Sequence, residues 1–99
     1  MLAAWYTMTY IMLEKVAHRH GYALALHGSM MRDLDLIAIP WTDDANTEAE
    51  LLVAFAKVLK LKGWSDTATE KPHGRRAFVF YLSGDAYIDL SVMPRKRHA

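Results

Sequence analysis

Three aspartates within apolar, strand-like segments are the residues of this chain best suited to chemistry. Asp33 and Asp35 stand one residue apart in the run 33–39, and Asp89 lies in the run 87–92. Side chains alternate along a strand, so Asp33 and Asp35 share a face, and Asp89 joins them if the two runs are neighbouring strands. Converging carboxylates suit a hard cation such as Mg²⁺ or Mn²⁺. We predict that these three residues are catalytic and bind metal; the alternative is a sheet face open to water, although Asp is depleted from strands.

A Gly-Ser pair and a group of cations are candidates for phosphate binding. Gly28 and Ser29 end the apolar run that begins at Tyr22. The turn-prone segment 70–76 leads into the hairpin that carries Asp89. Arginine matches phosphate oxygens with paired donors. The predicted nucleotide- or phosphate-binding residues are Gly28, Ser29, Arg32, Lys71, His73, Arg75 and Arg76. Two interpretations of the cations stay open: they bind phosphate, or they neutralise the aspartates and decorate the surface.

The elements that must position these residues follow from hydrophobic periodicity and turn signals. Residues 47–50, Thr-Glu-Ala-Glu, form a capping box that begins a helix continuing to Lys62, and 63–72 reads as polar and irregular. The remaining predicted elements are a helix over 2–19, strands over 22–26 and 33–39, and a hairpin of strands over 76–82 and 87–92. This order predicts an α+β fold with a mixed or antiparallel four-stranded sheet packed with two helices.

Composition limits the class of protein. The chain has 99 residues, 53% of them apolar, and no cysteine, so we expect one domain over 1–99 with a frayed basic tail at 95–99. The lack of cysteine excludes disulfide scaffolds and thiol nucleophiles. A net charge of +1 provides no overall attraction to nucleic acid. The segment 1–13 lacks the pattern of a secretory signal and is too short to span a membrane, so we expect no membrane partner and a cytoplasmic location.

The ordered pattern of Gly28-Ser29, Asp33-Leu34-Asp35 and Ile88-Asp89-Leu90 resembles the signature of the nucleotidyltransferase superfamily related to DNA polymerase beta. The whole chain is similar to small uncharacterised phage and prophage proteins of this type, which implies the host cytoplasm as its location. The resemblance implies a minimal nucleotidyltransferase-like domain in which Asp33, Asp35 and Asp89 hold Mg²⁺ or Mn²⁺ and Gly28 and Ser29 contact a triphosphate. Family members usually place a short helix and a basic segment before the first acid. Here only residues 30–32 intervene.

Several functions remain open at this point. The first is metal-dependent nucleotidyl transfer from a nucleoside triphosphate to an unknown acceptor. The second is a catalytically silent module of the same fold that binds a nucleotide, a nucleic acid or a host or phage protein, for example as a counter-defence inhibitor. The third is a phage protein that acts by surface contact alone, with Asp33 and Asp35 forming an acidic patch. In each case we expect a monomer or a homodimer. We also interpret His27 as a partly buried ring and Trp41 as the tryptophan to test for stacking on a base.

Overall fold

The computed structural model describes residues 2–28, 33–70 and 74–95. Within these ranges the chain forms two helices and five strands. Their order along the chain is α1 (Leu2–Arg19), β1 (Tyr22–His27), β2 (Leu34–Pro40), α2 (Glu48–Leu59), β3 (Ser65–Glu70), β4 (Arg76–Tyr81) and β5 (Tyr87–Val92). The α+β class and both helices therefore agree with the expectation from the sequence.

The five strands form one mixed sheet in the order β1-β2-β5-β4-β3. The pairs β1–β2, β3–β4 and β4–β5 are antiparallel, and β2 and β5 run parallel. The prediction of four strands was wrong, because Ser65–Glu70 pairs with β4 at the sheet edge. The sequence of this strand is polar and shows no apolar alternation by which it could be recognised. Its register with β4 also shifts between Asp66 and Glu70.

Both helices pack on one face of the sheet, and the other face carries the acids. Even-numbered residues of β2 and β5, such as Leu36 and Leu90, are buried in a core shared with Leu13 and Phe55 of the helices. Odd-numbered residues of the same strands are partly buried, except Ile39 near the end of β2, which is exposed. We call the face of the sheet that carries these odd-numbered residues the open face. The strict alternation separates apolar packing from chemistry within the same two strands.

Helix α2 begins at the predicted capping box. The Thr47 hydroxyl accepts the Glu50 N–H at 3.2 Å, and a Glu50 carboxylate oxygen accepts the Thr47 N–H at 3.0 Å. The helix ends at Leu59 rather than Lys62, because Lys60 takes a left-handed conformation with φ 59°. In that position the Lys60 N–H meets the carbonyls of Ala56 and Lys57, which closes the final turn.

Two tyrosines of α1 fasten the helix to the sheet. The Tyr10 hydroxyl donates to the Leu24 carbonyl at 2.9 Å, which covers the middle of the edge strand β1. The Tyr6 hydroxyl is fully buried and lies 3.3 Å from both backbone polar atoms of Tyr87, accepting from the N–H and donating to the carbonyl. Tyr6 therefore fixes the start of the strand that carries Asp89.

Replacing Tyr6 with phenylalanine tests this anchor. Tyr6→Phe leaves the buried backbone groups of Tyr87 without their partner, so we expect the free energy of unfolding to fall by about 1–2 kcal/mol. Urea denaturation measures the change. The matched control is Tyr81→Phe, which removes a hydroxyl from a side chain that is 63% exposed and should leave stability unchanged. Equal effects of the two substitutions would contradict the assigned role of Tyr6.

Candidate active site

The pairing of β2 with β5 brings two of the three predicted acids together. Asp35 and Asp89 are direct partners in the parallel register, and both lie on the open face. Asp33 immediately precedes β2 and is two residues from Asp35, so it lies on the same face one step along the strand. The structure thus gathers Asp33, Asp35 and Asp89 at the centre of the sheet.

The surroundings of Asp35 favour its protonated form. Partial burial, a hydrogen bond with the Asp33 carboxyl group and repulsion by Asp33 and Asp89 raise the pKa of Asp35 to about 6, and the nearby His27 opposes the rise. Two carboxylates that share a hydrogen bond hold a proton between them more readily than either would alone. A cation placed among these oxygens would stabilise their ionised forms and lower the pKa of Asp35.

Tyr87 connects the acids to the buried anchor. The charge of Asp33, partial burial and a hydrogen bond with the Asp33 carboxylate raise the pKa of the Tyr87 phenol. Its backbone is held by Tyr6, whose own pKa is raised mainly by burial and further by Asp33 and Asp35. The start of β5 is therefore tied both to the core and to the first acid.

A small polar cleft lies over the two paired acids. Its volume is about 190 Å³. Its lining side chains are His27, Asp35, Ile37, Arg75, Asp89 and Ser91. His27 is the cross-strand partner of Asp35 in β1, and Ser91 follows Asp89 on the same face of β5. The cleft combines carboxylates with one permanent cation, an imidazole and a hydroxyl, which can together contact a metal ion and an anionic group.

A second cavity lies between the helices, on the side of the sheet opposite the acids. Its volume is about 780 Å³. Its lining is mainly aliphatic, with Val16, Ala49, Val53, Ala54 and Val58 beside Arg19, His20, Glu50 and Lys57. It is larger than the acidic cleft but has only one carboxylate among these residues, so we place the chemistry on the open face.

Gly28 allows the backbone to approach Asp35 closely. Its φ is +82°, a conformation that side chains rarely adopt. A β-carbon at this position would stand 2.9 Å from the Oδ2 atom of Asp35. The backbone conformation therefore favours glycine at position 28, and an alanine there would press against the Asp35 carboxylate and displace it.

The two neighbouring arginines point to opposite faces of the sheet. Arg75 lines the acidic cleft, as predicted for a phosphate-binding residue. Arg76 lies on the helix side, where its guanidinium bonds Glu48 at 3.1 Å and Asp66 at 2.9 Å and sits 5.4 Å from the Phe78 ring centroid. The structure does not bring Arg76 to the acids.

Four predicted phosphate-binding residues lie outside the residues that the structure describes. They are Ser29, Arg32, Lys71 and His73. Within the described ranges, no set of three or more His, Asp or Glu side chains is already spaced as a metal-ligand group. Asp35 instead shares a hydrogen bond with Asp33. To bind a metal here, Asp33 and Asp35 would have to give up this hydrogen bond and turn their carboxylate oxygens toward the cation.

Comparison with known proteins finds no matching family model and no matching curated protein. In the part of the chain that the structure describes, neither helix is long and apolar enough to cross a bilayer. The open face itself is therefore the basis for any functional assignment.

Sequence patterns alone missed some residues of this face. His27 is exposed rather than partly buried, and it lines the cleft because it pairs across the hairpin with Asp35. Ser91 was identifiable as a neighbour of Asp89 from strand alternation. Trp41 lies beyond the far end of β2 from Asp33, with its ring 5.5 Å from that of His18.

The raised pKa of Asp35 predicts a specific pH dependence of stability. The folded pKa of about 6 lies above the unfolded value of about 3.9, so the folded state holds more protons between these limits and loses stability as pH rises through them. A pKa rise of this size corresponds to at most about 3 kcal/mol. Solvent screening of a partly exposed group reduces this, so we expect Asp35→Asn to stabilise the protein by about 1 kcal/mol at pH 7.

At pH 3 the same substitution should have almost no effect, because Asp35 is then protonated in the folded protein and largely so in the unfolded chain. Urea denaturation without divalent cations, at both pH values, provides the comparison. An Asp35→Asn variant that is less stable than the parent at pH 7 would refute the predicted electrostatic strain.

A pair of glycine substitutions isolates the contact between Gly28 and Asp35. Gly28→Ala and Gly84→Ala both place a side chain at positive φ, which costs about 1–2 kcal/mol in each case. Only Gly28→Ala also brings a β-carbon against Asp35, because nothing lies within 4 Å of the corresponding position at Gly84. We expect Gly28→Ala alone to shift the titration of the Asp35 carboxyl carbon in NMR spectra. Identical titrations in both variants would contradict this.

Proposed function

We propose that this chain is a metal-dependent nucleotidyltransferase domain that binds a nucleoside triphosphate on its open face and transfers the nucleotidyl group to a hydroxyl acceptor. The observation that supports this most strongly is the direct register of Asp35 with Asp89, with Asp33 one step away. The arrangement agrees with the resemblance of the chain to the superfamily related to DNA polymerase beta. It also provides a reason for three acids in otherwise apolar strands.

The chemistry of the donors fits a hard divalent cation. Asp33, Asp35 and Asp89 would hold Mg²⁺ or Mn²⁺, since carboxylate oxygens are the preferred ligands of both. The bound ion would activate the attacking oxygen and stabilise the leaving one. The raised pKa of Asp35, which arises from partial burial and from the neighbouring Asp33 and Asp89, agrees with a site where a bound cation would stabilise the ionised carboxylate.

The other residues of the cleft would bind and orient the substrate. Arg75 is a permanent cation on the cleft wall and can donate two parallel hydrogen bonds to phosphate oxygens. The Ser91 hydroxyl and the His27 ring can each form a hydrogen bond with a phosphate or an acceptor. Gly28 keeps the adjacent backbone close to Asp35 without a side chain in the way. Together they would fix an anionic substrate against the acids.

A second candidate is a module of the same fold that binds a nucleotide without transferring it. The ion pairs of Arg76 with Glu48 and Asp66 favour this alternative, because they engage one predicted phosphate ligand on the opposite side of the sheet. With fewer cations near the acids, the negative charge that develops on the phosphates during transfer would be less stabilised. Both candidates require triphosphate binding at the acids, and they differ in turnover.

Calorimetry with Mn²⁺ and a non-hydrolysable nucleoside triphosphate tests the binding that both candidates share. We expect Asp35→Ala and Asp89→Asn each to weaken binding about tenfold or more, since each removes a negatively charged oxygen ligand. The control is Asp44→Asn, which removes one carboxylate from an exposed position in the loop after β2. It should leave the affinity unchanged. Unchanged binding in both site variants would rule out the proposal.

Pyrophosphate release separates the two candidates. The protein is incubated with Mg²⁺, the four ribonucleoside triphosphates and a mixture of nucleic acid and protein acceptors. Transfer predicts pyrophosphate formation that Asp89→Asn abolishes. Tight binding without release under these conditions would favour the silent module.

A further inference from the structure

A pair of tyrosines, one exposed and one partly buried, lies beside the acids on the open face. Tyr81 of β4 and Tyr87 of β5 are direct cross-strand partners, with ring centroids 6.3 Å apart and planes inclined by 46°. Residues paired in this way point to the same side of a sheet. Since Tyr87 alternates with Ile88 and shares its face with Asp89, Tyr81 is also on the open face.

The position of the pair is fixed relative to the acids. Tyr87 hydrogen-bonds the Asp33 carboxylate, and Tyr81 lies one strand further out. Val79 of β4 is the partner of Asp89, so Tyr81 is two residues along β4 from that level. With a spacing of about 5 Å between strands and about 7 Å between alternate residues, the Cα atoms of Asp89 and Tyr81 are about 8 Å apart.

The two aromatic side chains differ in what they contribute. Tyr87 is partly buried, and its backbone N–H and carbonyl are both held by the Tyr6 hydroxyl. Tyr81 is 63% exposed, so most of its ring surface faces solvent. An apolar ring that remains this exposed beside a polar cleft offers a surface for a flat ligand.

We infer that Tyr81, supported by Tyr87, is the stacking surface for the nucleobase of the nucleotide. This inference rests on the function proposed above. With the triphosphate at Asp35, Asp89 and Arg75, the base extends along the open face toward the hairpin end of β4 and β5. Stacking uses the π face that every base has, so the subsite accepts all bases and binds purines more tightly through their larger ring surface.

Trp41 provides a matched comparison. It is 59% exposed, close to the exposure of Tyr81, but it lies beyond the opposite end of β2 from Asp33 and packs beside His18. A general contribution of exposed aromatic surface to binding would affect both residues. A base subsite at the hairpin end involves Tyr81 alone.

The test compares a non-hydrolysable purine triphosphate with inorganic tripolyphosphate by calorimetry on the Mn²⁺-supplemented protein. We expect Tyr81→Ala to weaken the nucleotide about five- to tenfold and to leave tripolyphosphate binding unchanged. Tyr81→Phe keeps the ring and should retain the parental affinity. Trp41→Ala should alter neither ligand. Circular dichroism establishes that each variant is folded.

The outcomes separate this inference from the proposed function. If the parent protein binds both ligands and Tyr81→Ala changes neither, or weakens both equally, the base subsite is refuted while triphosphate binding at the acids stands. Equal affinity of the parent for nucleotide and tripolyphosphate would also refute the base subsite and leave triphosphate binding at the acids standing. If the parent binds neither ligand, the proposed function fails, and the base subsite fails with it.

Discussion

The parallel pairing of β2 with β5 is the constraint on which the rest of the site depends. These are neighbouring strands of the five-stranded sheet, and their register sets Asp35 directly beside Asp89. The other face of the same strands carries Leu34, Leu36, Ile88 and Leu90, which are buried to 1% exposure or less. A slip of one residue in either strand would move its acid into the core and its leucines into solvent. The core packing therefore fixes the positions of the carboxylates.

This coupling explains how so short a chain can hold like charges together. Partial burial and the neighbouring Asp33 and Asp89 raise the pKa of Asp35, and this cost is offset by burial of the apolar side chains behind it, which favours the same register. Tyr6 adds a second restraint by holding the backbone of Tyr87 next to the acids. Both helices lie on one side of the sheet, so the acids stay accessible within a shallow cleft. The core packing thus holds the three carboxyl groups close together on the open face.

Much of this geometry can be predicted from the sequence, because it depends on local patterns. Strand alternation places Asp33, Asp35 and Asp89 on one face, and the capping box marks the start of α2. The polar edge strand β3 could not be recognised, since its sequence, Ser-Asp-Thr-Ala-Thr-Glu, shows no apolar alternation. The cross-strand contact of His27 with Asp35 depends on hairpin register, which local patterns leave undefined. The separation of Arg75 from Arg76 follows from alternation once Phe78 is known to face the core.

The most direct test of the central claim is a crystal structure of the protein soaked with Mn²⁺ and a non-hydrolysable nucleoside triphosphate. Anomalous scattering locates the metal independently of the remaining density. The account predicts a manganese peak ligated by Asp35 and Asp89, with Asp33 turned toward it and phosphate oxygens in contact with Arg75. Manganese and triphosphate bound elsewhere, with the hydrogen bond between Asp33 and Asp35 intact, would contradict it.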